Sequence, residues 1–172
     1  CMQIETYLLA EHGWVPNNAK LPVILYRQAM TPASREEAAA AFEARFQQHG
    51  WPAQWRDGVY DYHHYHSTAH EVLGVAAGSA TLMIGGPDGR EIEVTAGDAL
   101  LLPTGTGHCA CQSSDDFLVV GGYPEGQAWD IRCDAATPED RRRMLDLPFP
   151  ATDPVAGLDG PLSQHWVSSA HL

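Results

Sequence analysis

No run in this sequence of 172 residues approaches the ~20 continuous apolar residues of a membrane-spanning helix. The opening residues carry no basic segment followed by a long apolar stretch, so no secretory signal is read there. Positive charge is scarce. Ten Lys and Arg stand against 22 Asp and Glu, a formal net charge of −12. Such a surface repels phosphate backbones and anionic headgroups, which argues against nucleic acid and membrane as partners. The one basic run, Arg141-Arg142-Arg143, comes directly after Glu139 and Asp140 and reads as a solvated helix face. Cysteine is sparse as well. Cys1, Cys109, Cys111 and Cys133 form no CxxC pair and no disulfide framework, which fits reduced thiols and a cytoplasmic location. There is no internal repeat. Gly85-Gly86-Pro87-Asp88-Gly89 lacks the strand–loop–helix context of a phosphate-binding loop and reads as a tight turn.

What is present is a globular balance, with 44% hydrophobic and 19% charged residues. The length suits a single domain with a real core. Two short strand-like runs, Thr6 to Ala10 and Val23 to Tyr26, flank a Pro-Asn-Asn loop at Pro16–Asn18. Residues 34–49 read as a helix. Ser34 and Glu37 form a capping box, Ala38, Ala41, Phe42 and Phe46 form an apolar stripe, and Gly50 and Pro52 end it. Trp51 and Trp55 staple that helix onto the strand-rich region.

From Val59 to Gly122 short apolar runs are punctuated by Gly, Pro and Asp. The predicted strands are Val59–Ser67, Glu71–Ala77, Ser79–Gly85, Arg90–Thr95, Ala99–Leu102, His108–Ser113 and Phe117–Gly122. Many short strands with turns between them predict a mainly β sandwich or barrel. After Tyr123, Thr137-Pro138-Glu139-Asp140 starts a helix that stops before Pro148. The remaining Pro-rich residues read as an extended arm over the barrel or over a second subunit.

Histidine is the abundant residue. Of nine, His63, His64, His66 and His70 fall within eight positions. On a strand His64 and His66 share one face, as do Tyr60 and Tyr62, which become candidates for lining a pocket. Two imidazoles so placed can bind one metal, and Glu71 can add an oxygen. His70 is the alternative ligand at that position, although alternation points it away if Glu71 points in. His63 has the wrong parity and reads as a surface histidine. Cys109 and Cys111 face away from the site if His108 faces in.

Two patterns are more specific. Gly58-x5-His64-x-His66-x4-Glu71-x6-Gly78 and Gly97-x5-Pro103-x-Gly105-x2-His108 resemble the paired motifs of the cupin superfamily, the RmlC-like jelly-roll proteins. The residues from His64 to Gly74, with their flanks, resemble the YjlB-like branch of small bacterial cupins. Gln112 stands where the second motif usually ends in Asn.

The resemblance implies a single cupin jelly-roll β-barrel over residues 1–172. Residues 1–57 would form an N-terminal strand and helix extension, 58–122 the barrel core, and 123–172 a C-terminal helix and arm. It implies His64, His66, Glu71 and His108 as ligands of one divalent ion, Fe, Mn, Ni, Co or Zn. Gly78, Gly97 and Gly105 would be turn glycines at positive φ. A homodimer is expected. An octahedral ion would keep two positions for water or a small-molecule substrate. The expected function is a metal-dependent dioxygenase or isomerase acting on a small oxygenated molecule. A non-catalytic module binding a small ligand or metal is the alternative.

Overall fold

A computed structural model describes residues 2–167; Cys1 and the last five residues lie outside it. Among the described residues nine strands and three helices succeed one another in chain order. They are β1 (Gln3–Tyr7), β2 (Val23–Arg27), α1 (Arg35–Gln48), β3 (Ala53–Asp57), β4 (Glu71–Ala77), β5 (Ser79–Ile84), β6 (Arg90–Thr95), β7 (Ala99–Leu102), β8 (His108–Ser113), β9 (Leu118–Gly122), α2 (Pro138–Asp146) and α3 (Pro161–His165). The strands form two antiparallel sheets. A six-stranded sheet has the order β1-β2-β7-β4-β9-β3, and a three-stranded sheet has the order β6-β5-β8. The fold is mainly β, in keeping with a cupin jelly roll.

Strand alternation divides the core in two. Val23, Leu25, Leu73, Val75 and Leu100 face the small sheet and meet Leu82, Ile84, Ile92 and Val94. Their neighbours Ile24, Tyr26, Val72 and Leu101 turn the other way and meet Phe42 and Phe46 of α1. Helix α1 is capped by Ser34, whose Oγ accepts the Glu37 N–H at 3.2 Å. Its buried stripe is Ala38, Ala39, Phe42 and Phe46; Ala41, expected in that stripe, is exposed. Ala39 lies nearer the Phe42–Phe46 line around the helix, so it takes that place. Gly74 makes the contact possible, because a Cβ there would lie 2.6 Å from the Phe42 ring.

Several boundaries differ from expectation. The first strand is Gln3–Tyr7 rather than Thr6–Ala10, set by pairing with β2. Ala53–Asp57 adds an edge strand against β9 that its charged residues conceal. Residues 59–67 form no regular strand. Only His64 and Tyr65 pair, as single bridges to His108 and Arg132. The His66 carbonyl instead accepts the Gly105 N–H at 2.8 Å and the Thr104 hydroxyl at 2.9 Å. The Pro-rich arm packs on the chain's own α1 layer. Asp153 accepts the Tyr26 hydroxyl at 2.7 Å, and Trp166 packs on Trp51, His70 and Phe149. Among the described residues no helix is long and apolar enough to cross a membrane.

Candidate metal centre

Three ring nitrogens, one each from His64, His66 and His108, lie within 4.8 Å of one another, and all three residues are buried. The sheets bring them together. His108 opens β8 in the small sheet, and Glu71 opens β4 in the large one. His64 is held against His108 by a reciprocal backbone pair of 3.2 and 2.9 Å. The second motif supplies the turn before His108. Gly105 takes φ +90°, where only glycine is unstrained. Asn17 and Asn18 pin that turn from the far end of the sequence. Asn17 accepts the Gly107 N–H and donates to the Gly85 carbonyl, both at 3.0 Å, and Asn18 donates to the Thr104 carbonyl at 3.1 Å.

The backbone sets the tautomers. His64 Nδ1 faces the Tyr62 carbonyl at 3.0 Å, His108 Nδ1 faces the Thr106 carbonyl at 3.1 Å, and His66 Nδ1 faces the Asp130 carbonyl. A carbonyl only accepts, so each Nδ1 carries the proton. In the neutral rings each Nε2 is then a lone pair. Three lone pairs aimed at one volume suit a cation.

Glu71 completes the set. Its Oε2 lies 3.2 Å from His66 Nε2, and its Oε1 lies 3.3 Å from His108 Nε2. Oε1 is buried and has no hydrogen-bond partner. An orphaned carboxylate oxygen in a buried site is costly unless a cation sits beside it. Burial opposes ionisation of Glu71, yet the imidazoles of His66 and then His108 hold its carboxyl well below the usual range. His66 responds in the opposite sense: burial pushes it down, but Glu71 and the Asp130 carbonyl carry it above the ordinary value. Burial, then the neighbouring His108, lowers His64 to about 3. The centre therefore accumulates demand for positive charge, which a proton or a metal ion meets at the same place. These donors fit a divalent ion.

His70 is elsewhere. It turns into the α1 layer beside Trp166 and Phe149, its Nδ1 accepts the Thr104 N–H at 2.9 Å, and its Nε2 donates to the Leu147 carbonyl at 3.3 Å. Both ring nitrogens are thus used, so His70 has no donor left for a metal. His63 is partly buried and is not part of the cluster. Cys109 is buried and Cys111 exposed, and neither lines the cavity.

The four side chains form the floor of a cavity of about 320 Å³. Tyr60 lines it; Tyr62 does not, and instead stacks on Tyr60 at 4.9 Å. Further residues, marked by no motif spacing, complete the site. Tyr123, just past β9, donates its hydroxyl proton to Glu71 Oε2 at 2.7 Å and accepts the Trp55 indole N–H at 2.8 Å. Trp129 stacks face to face on Tyr123, with centroids 4.5 Å apart and planes within 6°. Asp130 receives the Ser67 N–H at 2.6 Å, which fixes the strap carrying the His66 acceptor. No spacing rule marks Tyr123 or Asp130; alternation in β3 and the aromatic character of Trp55 are the only signals the sequence offers.

A mainly antiparallel two-sheet fold, with three histidines and a glutamate gathered at one end from the paired motifs, defines a cupin. Within that class the chain belongs to the family of the uncharacterised protein YjlB of Bacillus subtilis (strain 168). It is 34% identical to that protein over 169 residues, covering 96% of this chain and 98% of the relative. No family model matches. Among solved structures it is similar to the acireductone dioxygenase from Bacillus anthracis with a cadmium ion in its active centre. The identity there is 18% and the TM-score 0.42, over 62% of this chain and 72% of that one. It is also similar to RmlC from Streptococcus suis in complex with dTDP-D-xylose, at 10% identity and a TM-score of 0.39, over 83% and 84% of the two chains. At such overlaps neither carries information on this chain's chemistry.

Proposed function

We propose that His64, His66, Glu71 and His108 bind one divalent metal ion, and that the chain is a metal-dependent enzyme of the dioxygenase or isomerase class acting on a small oxygenated molecule. The observation that carries this reading is the gathering of three imidazole nitrogens within 4.8 Å of one another, with the orphaned Oε1 of Glu71 beside His108 Nε2, beneath an accessible cavity. An ion held there would supply Lewis acidity and open coordination positions. The protein's own part is to hold and to exclude. Three backbone carbonyls orient the imidazoles, and Tyr123 holds Glu71. Glu71 offsets one of the two charges. Leu73, Val59 and Ile131 supply apolar wall above the floor. Asp57 is the one further carboxylate lining the cavity among the described residues, and it accepts the Gly58 N–H at 2.8 Å. The scarcity of acid–base groups beyond the ligands supports chemistry centred on the metal. It equally supports the second reading, a module that binds a ligand without turnover.

The same reading takes residues 1–172 as one cupin domain, cytoplasmic and homodimeric. Free, separate thiols at Cys109, Cys111 and Cys133 support the compartment. Sedimentation at micromolar concentration tests the dimer; a single species of 18.7 kDa overturns it.

Metal content by mass spectrometry, on untagged wild type and His108→Ala, tests the function. One equivalent in the wild type and its loss in the variant are expected. Wild-type protein that stays metal-free after reconstitution with Fe, Mn, Ni, Co and Zn overturns the reading. With metal established, saturable ligand binding without turnover across a panel of diols, diketones, thiols and sugars selects the non-catalytic module.

A further inference from the structure

The mouth of the cavity is built of large apolar side chains left in water. Tyr60 is 49% exposed, Ile131 42% and Trp129 39%, and all three line the cavity. Large exposed apolar groups gathered at one opening mark a binding surface rather than chance exposure. They are also held in place. Trp129 lies flat on Tyr123, whose hydroxyl is fixed at both ends by Trp55 and Glu71. Tyr60 lies flat on Tyr62 with planes 18° apart, and its edge meets His64. Rigid aromatic faces lose little entropy when a ligand arrives.

Charge narrows the class further. No lysine or arginine lines the cavity among the described residues, and its charged members are Glu71 and Asp57. Beyond the ion at the floor, a phosphate or a polycarboxylate would find no cation to pair with, and it would meet Asp57. Volume sets the size. About 320 Å³ at roughly 30 Å³ per water is room for on the order of ten non-hydrogen atoms, one ring with its substituents.

We propose that the site takes a small uncharged aromatic molecule bearing an oxygen donor, a phenol- or catechol-sized ring. Tyr60 and Trp129 grip its faces, and its oxygen is directed to the floor formed by His64, His66, Glu71 and His108. This rests on the metal-binding reading above and names the substrate class of that site.

The test is calorimetry on the protein loaded with cobalt, with metal content measured in every sample. The probes are catechol, oxalate and inorganic phosphate, and the chains are wild type, Trp129→Ala, Trp129→Phe and Tyr60→Ala. Trp129 and Tyr60 are 39% and 49% exposed, and the far-ultraviolet circular dichroism of each variant is expected to match that of the wild type. Catechol is expected to bind the wild type more tightly than oxalate or phosphate. Its affinity should fall about tenfold in Trp129→Ala and in Tyr60→Ala, the worth of one stacked ring. Trp129→Phe, which keeps a flat face, should retain most of it, and oxalate should be indifferent to all three changes. Equal catechol binding across the four metal-loaded chains overturns the proposal, as does tighter binding of oxalate or phosphate than of catechol. Wild type that holds no cobalt, and none of Fe, Mn, Ni or Zn on reconstitution, overturns the metal reading itself and this inference with it, a failure that the metal content separates from the other two; if cobalt alone fails to load, the ion that does load replaces it in the same titrations.

Discussion

Tyr123 gives its single hydroxyl proton to Glu71 Oε2 at 2.7 Å, and it can give it nowhere else, because the Trp55 indole N–H occupies the other side of the oxygen at 2.8 Å. Indole donates only, so the phenol must accept from Trp55 and donate to Glu71. One carboxylate oxygen is thereby engaged, and Oε1 is left free for a cation.

Tyr123→Phe removes that donor and leaves the Trp55 N–H without its partner. Metal affinity should fall about 10- to 100-fold while the far-ultraviolet circular dichroism stays unchanged. Trp55→Phe should cost less, since Tyr123 keeps its bond to Glu71. Competition against a chelator of known affinity measures both. Wild-type affinity in Tyr123→Phe would mean that Glu71 is held by packing alone.

Asn17 is a loop residue by composition and a strut by position. It sits at φ +51° and bonds the Gly107 N–H, the Gly85 carbonyl and the Ala10 carbonyl. Asn17→Ala leaves a buried N–H unpaired and a left-handed backbone without a residue that tolerates it. A loss of about 1–3 kcal/mol in urea unfolding is expected. Metal affinity should fall with it, because the turn before His108 loosens.

The contrast between Asn17 and the histidines explains what can be read from the sequence. His64, His66, Glu71 and His108 are spaced by strand and turn geometry, and local spacing survives in a linear text. Strands β4 to β9 are similarly legible because β4 to β8 each begin or end near a turn glycine or proline and because alternation is strong. Residues 59–67 look like a strand because an alternating pattern does not say whether a partner strand is available. The edge strand β3 escapes notice because edges carry charge. Tyr123, Asp130 and the asparagine struts act over separations of 52 to 90 residues, and no local pattern encodes such pairings.

Metal should stabilise the fold through the same four ligands. At a free concentration of 100 times Kd, a stabilisation of about 2.7 kcal/mol is expected. His64→Ala should show no such increment, and His63→Ala should keep it. Melting temperature against metal concentration in the three chains decides. An increment in His64→Ala would move the binding site elsewhere.

Asp140 supplies a pH dependence remote from the metal. Its carboxylate accepts the Thr137 N–H at 2.9 Å and the Arg132 guanidinium at 3.1 Å, closing the capping box of α2. The Thr137 backbone donor is the main reason that its carboxyl lies below the ordinary value. A depressed carboxylate stabilises the fold above the unfolded value and loses that contribution as pH falls through the folded one. Asp140→Ala should therefore be less stable than wild type at pH 5–7, and the gap should begin to narrow below about pH 4 and go on closing as pH falls through the folded value. Urea midpoints across that range in both chains give the answer. A gap independent of pH would assign the effect to helix propensity.

The His66 acceptor comes from Asp130, far along the chain from its partner. During synthesis all four proposed ligands have been polymerised once His108 is added, and Tyr123 and Asp130 come only later. At roughly 5–20 residues per second the interval to Asp130 lasts on the order of one to four seconds. For that time the nascent chain carries the donor atoms without the groups that orient two of them. On the metal-binding reading, affinity for the ion is in this sense a property acquired late. A chain that stops at the end of β9 would carry both motifs in full and still lack the parts that make them a site.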